Sequence, residues 1–279
     1  MAVPAAGITR ASKSDSMTRR TGLESLLLRD RWLIGSALVL VIGLSWAWIA
    51  PMAWDMYGPM TGWSGWMMTN RWDLTHQLLL FGMWTVMMIG MMLPSATPAL
   101  FLYASVVRKN PEVTHASAHV YTFAAGYLLV WTAFSFVATV LQLLLNQWLL
   151  LSPMMELRSH WLGPLLLFLA GAYQLTPLKR ACLESCRFPL VFMTRHWRQG
   201  IGGGLWLGIL HGAFCVGCCW ALMLLLFVGG VMNLWWIGAL TVFVLVEKLV
   251  PLGRQSGYIS GSLLVVLGIW AFVRWQVLR

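Results

Sequence analysis

Charge is what this sequence has least of. Charged residues make up 10% of its 279 positions, and only nine are acidic. A soluble domain carries nearer a quarter charged residues, so a conventional soluble fold is excluded. Beyond Glu184 the sole acid is Glu247. Catalytic signatures are missing too: there is no Gly-x-Ser-x-Gly, no His-Glu-x-x-His and no phosphate loop. Gly202-Gly203-Gly204 lacks the Lys-Ser/Thr pair that would make it phosphate-binding. No catalytic residue is therefore assigned. Cysteines number five, an odd count, and three of them share one apolar run, which excludes a secreted disulfide framework. The first 30 residues hold basic side chains (Arg10, Lys13, Arg19, Arg20, Arg29) but no apolar core. A cleavable signal peptide needs such a core, so none is expected.

What fills the chain is apolar sequence, 59% of the total. Runs of about 20 residues suffice to cross a bilayer. Seven are found, near 32–54, 75–103, 119–146, 161–178, 203–228, 233–250 and 257–275. The expected fold is all-α: a polytopic transmembrane helix bundle of about seven spans. Residues 1–31 would form a polar cytoplasmic tail, and 32–279 one transmembrane helical domain. The Lys and Arg counts between spans run 6, 1, 2, 1, 5, 0, 2 and 2 from the amino terminus. Heavy and light counts alternate, which predicts a cytoplasmic N-terminus. The net charge of +10 forms no single stripe, so nucleic acid is not an expected partner and the lipid bilayer is. Trp46, Trp48, Trp54, Trp63, Trp66 and Trp72 gather around the first outer loop, and Trp148, Trp161, Trp235 and Trp236 mark other outer ends. Indole rings favour the membrane–water interface. Pro94 and Pro98 lie late in the second run and predict a kinked end packed in the bundle interior, since each removes a backbone donor.

The densest chemistry lies in the fifth run, His211-Gly-Ala-Phe-Cys215-Val-Gly-Cys218-Cys219-Trp-Ala-Leu-Met223. In a helix His211, Cys215, Cys219 and Met223 fall at successive four-residue steps on one face, and Cys218 joins Cys215 from one turn on. An imidazole, thiols and a thioether are ligands for Cu(I), Zn or an iron centre. Gly212 and Gly217 would let a second helix come close. A redox disulfide or plain packing of small thiols are the other readings of this helix.

Ten of the 17 methionines lie between Met52 and Met92. Met83, Met87 and Met91 repeat every four residues, with Met88 and Met92 beside them. If this helix neighbours the fifth, thioethers face thiols; helix packing is the competing reading. Cys182 and Cys186 stand four apart between Lys179, Arg180 and Arg187, where basic neighbours favour thiolates. They would receive metal at the cytoplasmic mouth or act as a redox pair, unless the segment is simply a solvated basic turn. Glu247 is an acid inside a span, a functional candidate by default, although Glu247-Lys248 could also reach out to the headgroups as an interfacial pair.

Together these pieces resemble a bacterial family of integral membrane proteins catalogued as a domain of unknown function and described as metal-binding. The matching residues are Met87-Met88-Ile-Gly-Met91-Met92-Leu-Pro94-Ser95 with Pro98, Lys179…Cys182…Cys186, His211…Cys215-Val-Gly-Cys218-Cys219-Trp220, and Asn233…Glu247-Lys248. The resemblance implies metal binding and a bacterial inner-membrane location. Thioethers beside thiols favour Cu(I) over Zn, whose usual ligands are Cys, His and carboxylate. The expected function is transport, storage or delivery of copper, with another membrane protein or a metallochaperone as partner. A membrane oxidoreductase using thiols or a haem on His211 is one alternative, and an accessory assembly subunit another.

Overall fold

The computed structural model describes residues 32–55, 73–109, 116–148, 150, 155–157, 159, 161–250 and 255–277. Trp63, Trp66 and Trp72 of the expected surface loop, and the polar tail 1–31, lie outside them. The chain falls into two units, Met1–Val41 and Ile42–Arg279. Of the first, the described residues 32–41 are the opening turns of a helix.

Every apolar run is helical, and no strand occurs among the described residues. The helices are α1 (Trp32–Asp55), α2 (Leu74–Lys109), α3 (Ala116–Gln147), α4 (Leu162–Gln174), α5 (Pro177–Arg187), α6 (Pro189–His196), α7 (Ile201–Leu224), α8 (Leu226–Gly229), α9 (Leu234–Leu249) and α10 (Gln255–Val277). Among the described residues, five stretches are long and apolar enough to cross a membrane: α1, α2, α3, the α7–α8 run and Gly257–Arg274 within α10. The runs at 161–178 and 233–250 give helices of only 13 and 16 residues. About 20 residues make a standard crossing, so these two are short for it.

Surface chemistry agrees with a membrane setting. Leu, Val, Ile, Phe and Trp side chains stand exposed along the outer faces of α3, α4, α9 and α10. Apolar area on that scale is far more than a soluble monomer leaves in water. The centre is α2 and α7, where 50% and 56% of the apolar window is buried, against 28% in α3 and 17% in α10.

Small residues set the spacing. Gly204, Gly208 and Gly212 recur every fourth residue along α7 and face α3. A Cβ on Gly208 would run into the carbonyl of Phe123. Without a hydrophobic force between helices in lipid, such close backbone approach is what packs them. The same device joins α4 to α10, where a Cβ on Gly171 would stand 2.7 Å from the Val265 nitrogen.

The two prolines of α2 sit inside a continuous helix. Pro94 cannot donate to the Gly90 carbonyl. Trp46 takes over that acceptor, its Nε1 donating at 3.3 Å. Pro98 does not face the interior as the sequence suggested: it is exposed, while Leu93, Ala96, Ala99 and Leu100 around it are buried.

Candidate metal centre

The α7 helix carries its thiols inward. Cys215, Cys218 and Cys219 are each 1% exposed, and Met223 is buried one turn further on. Across from them α2 buries Met83, Met87, Met88, Met91 and Met92. The Met92 sulfur lies 4.0 Å from Cys219 Sγ, so thioether and thiol do meet across the two helices. The thiols of Cys218 and Cys219 donate back to the Cys215 carbonyl at 3.1 and 2.9 Å. With these sulfurs turned to backbone, no three His, Cys, Asp or Glu groups enclose a ready-made metal position among the described residues. Binding of metal would need those thiols to rotate about χ1 away from the carbonyl.

Cys215 is the most heavily contacted sulfur. Tyr127 Oη stands 3.1 Å from it and also donates to the Met92 carbonyl at 3.1 Å. Lys248 Nζ approaches to 2.9 Å and also donates to Ser95 Oγ at 3.1 Å. This corrects the interfacial reading of Glu247-Lys248. Lys248 is 6% exposed and Glu247 4%, and neither reaches outward. Neighbouring residues on a helix point in different directions. Lys248 therefore turns to the thiols, while Glu247 Oε1 takes the Lys179 ammonium at 2.5 Å.

That ion pair fixes α5. Thr176 caps the helix by accepting from the Lys179 backbone N–H at 3.3 Å, with Pro177 at its first position. Proline is suited there, where its missing N–H costs nothing. At the other end Arg187 donates from Nε and Nη2 to the Glu247 carbonyl at 2.9 and 2.6 Å. Lys179, Cys182 and Cys186 lie three and four residues apart, on one helical face. That face meets α7. A Cβ on Gly217 would stand 2.9 Å from Cys182 Sγ, so the absent side chain makes room for sulfur. Cys186, one turn further along that face, has Cys215 and Cys218 among the groups that perturb its thiol. Tyr173 Oη seals the same contact, donating to the Gly217 carbonyl at 2.5 Å.

The α5 thiols are consequently not the activated thiolates that their basic neighbours suggested. Burial pushes the Cys182 thiol up, and the nearby Cys218 adds to this. Cys186 is raised as well, by its hydrogen bonds to Cys215 and Cys218 and then by burial. All five cysteines are free thiols.

His211 shares the α7 face but sits in an aromatic cage. Its ring lies 5.8 Å from that of Phe123, 5.9 Å from Tyr127 and 5.4 Å from Phe192. It is 3% exposed, and its Nδ1 has no hydrogen-bond partner. A buried polar atom normally has one.

The structure thus brings Cys182, Cys186, Cys215, Cys218, Cys219 and Met92 into one sulfur-rich region between α2, α5 and α7. Tyr127 was not foreseen: it is a single polar residue in an apolar run, and spacing alone does not single it out; Ser95 stood only within the family motif, with no role assigned. A family model for copper chaperones, PpoB2, matches residues 81–271. It takes in the methionine stripe, all five cysteines and the Glu247-Lys248 pair, and it carries the copper chaperone name rather than that of the domain of unknown function. No curated protein and no solved structure matches the chain. On a match covering more than half of its length, the chain belongs to the copper chaperone family PpoB2.

Proposed function

We propose that this protein is an integral membrane copper chaperone of the bacterial inner membrane, which takes up Cu(I) on sulfur ligands inside its helix bundle and passes it to a partner protein. The observation that carries this reading is the meeting of Cys219 and Met92, sulfur to sulfur, 4.0 Å apart across α7 and α2. Soft thiolate and thioether donors select Cu(I). Cys215, Cys218 and Cys219 form the core of the site. His211, whose buried Nδ1 is unpartnered, is an inner donor. Met92 is the first thioether, and Met83, Met87, Met88 and Met91 extend the stripe along α2. Cys182 and Cys186 receive metal from the cytoplasmic side.

The topology of this reading puts the amino terminus, residues 104–118 and the five-cation stretch 179–202 in the cytoplasm. The short helices α4 and α9 complete seven passages. Sulfur chemistry is favoured over haem because five thiols and the methionine stripe gather here, while His211 is the one imidazole beside them, packed among the rings of Phe123, Tyr127 and Phe192.

The test is metal content. Protein purified without oxygen from copper-supplemented cells should retain copper, and Cys215→Ser and Cys218→Ser should each lose most of it while still inserting in the membrane. Metal affinity follows ligand number and type, so one missing donor is felt. Wild-type protein free of copper, with thiols that cycle to a disulfide as cell redox state changes, would move the assignment to a thiol oxidoreductase.

A further inference from the structure

His196 has the chemistry of a metal ligand but stands apart from the sulfurs. It ends α6, half-buried, and α6 follows α5 directly: Phe188 closes one helix and opens the next. The His196 Nδ1 lies 3.0 Å from the Phe192 carbonyl. A carbonyl only accepts, so Nδ1 carries the proton and donates, and Nε2 of the neutral ring keeps its lone pair. Among the described residues that Nε2 has no hydrogen-bond partner. Fixing one ring N–H on a backbone carbonyl, with the other nitrogen open, is how a metal-ligating histidine is usually held. Closing the last turn of α6 accounts for the Nδ1 contact but not for the open Nε2.

A second observation ties this ring to the site. The Phe192 ring lies 4.9 Å from the ring of His196 and 5.4 Å from that of His211. His211 is 3% exposed, and its Nδ1 is likewise without a partner. Phe214 joins the same group, 5.7 Å from Phe192 and 6.4 Å from His196. Two imidazoles, each with an unpartnered nitrogen, therefore share one aromatic neighbour. The first is half-buried, and the second is buried one helical turn before Cys215. Cys182 packs at the level of Gly217, further along α7 than His211. On a path that follows α7 inward the imidazoles stand ahead of the thiols.

We propose that His196 is the acquisition ligand of this protein: its Nε2 takes Cu(I) at the cytoplasmic mouth and hands it past Phe192 to His211. The proposal rests on the copper reading above and adds a nitrogen station ahead of the sulfurs. Imidazole is a ligand for copper, and thiolates are the softer donors that select Cu(I). Ligand strength thus rises inward, from one imidazole to the next and then to sulfur, and the ion is drawn on. Each transfer is a ligand exchange. One Cu–N bond forms as the carrier's bond to copper breaks, and the metal stays Cu(I). No proton leaves His196, because its Nε2 already holds a lone pair. The face of Phe192 attracts positive charge, so the ion does not meet an inert apolar barrier between the two stations.

The experiment times Cu(I) uptake by the full-length protein in detergent. Cu(I) is supplied without oxygen as its coloured bicinchoninate complex, and the loss of colour gives the rate and the end point separately. His196→Phe keeps an aromatic ring beside Phe192 and Phe214 but removes the nitrogen. It should slow uptake by at least about tenfold, the lower end of what disturbing a metal site costs. Its end point should match wild type, since the thiols still hold the ion. His196→Met puts a soft donor back and should recover most of the rate. His76→Phe, which removes an imidazole at the start of α2, should load like wild type. If His196→Phe loads as fast as wild type, or His196→Met is as slow as His196→Phe, the imidazole is no ligand and the copper reading stands. A lowered end point in His196→Phe would make His196 part of the holding site and overturn the relay. If the wild type takes up no Cu(I), both fall.

Discussion

Removing the negative charge of Glu247 while keeping its shape tests the clamp on α5. The carboxylate and the Lys179 ammonium are 3% and 2% exposed, and they meet at 2.5 Å. Glu247→Gln leaves the lysine buried opposite a neutral amide. Breaking a buried pair from one side costs about 3–5 kcal/mol, because the remaining charge is uncompensated. The backbone carbonyl of residue 247 still accepts from Arg187, so we expect the lower end, about 3 kcal/mol. For a chain of this size class that corresponds to a melting temperature lower by roughly 6–12 °C. The assay is thermal unfolding in detergent, followed by intrinsic tryptophan fluorescence. The double change Lys179→Met with Glu247→Leu should recover most of the loss, since a packed apolar pair often replaces a buried ion pair at little cost. A Glu247→Gln protein melting within about 1 °C of wild type, far inside the shift expected for that loss, would refute the buried pair.

Three further outcomes follow from the packing and the sulfur contacts. Gly208→Ala should destabilise the α3–α7 contact by about 1–3 kcal/mol, because the new methyl meets the fixed Phe123 carbonyl; Gly202→Ala, with open space around it, should melt like wild type. Met92→Leu should weaken Cu(I) retention by at least about tenfold and more than Met83→Leu does, because only the former removes the sulfur next to Cys219; equal effects in a chelator competition would reduce the stripe to packing. Cys182 is held above the ordinary thiol range by burial, so its thiolate fraction at neutral pH is lower than that of a free thiol and grows as pH rises. Its maleimide labelling should therefore lag a free thiol at pH 7 and close the gap in alkaline buffer, and labelling at the free-thiol rate throughout would contradict that burial.

The apolar runs were legible because hydropathy is a local property, and each of the seven is helical. Their usable length was not. The fourth run reads as continuous to Leu178, yet Thr176 caps a new helix with Pro177 at its first position, and α4 ends at Gln174. Asn233 and Val250 likewise bound α9 at 16 residues. The one-faced array of Cys215, Cys219 and Met223 was legible from four-residue spacing, as was the methionine stripe. What spacing could not show is which partner each face meets. Cys186 lies nearly thirty residues before Cys215, and the Glu247 clamp, the Cys182–Gly217 packing and the Tyr173–Gly217 hydrogen bond bring its helix back against α7. Glu247 and Lys248 read as one unit from sequence because they are adjacent. On a helix they diverge, and each completes a different buried contact. His211 was placed correctly on the α7 face, but its aromatic cage comes from α3 and α6.

The central claim is that buried thiols of α7 hold Cu(I), and anaerobic titration tests it most directly. Full-length protein in detergent would be titrated with Cu(I) against a chromogenic Cu(I) chelator, beside the triple variant Cys215/Cys218/Cys219→Ser. The account predicts that wild type withholds at least one equivalent from the chelator and that the triple variant, still folded by its fluorescence melt, withholds none. A triple variant that competes as well as wild type would contradict it.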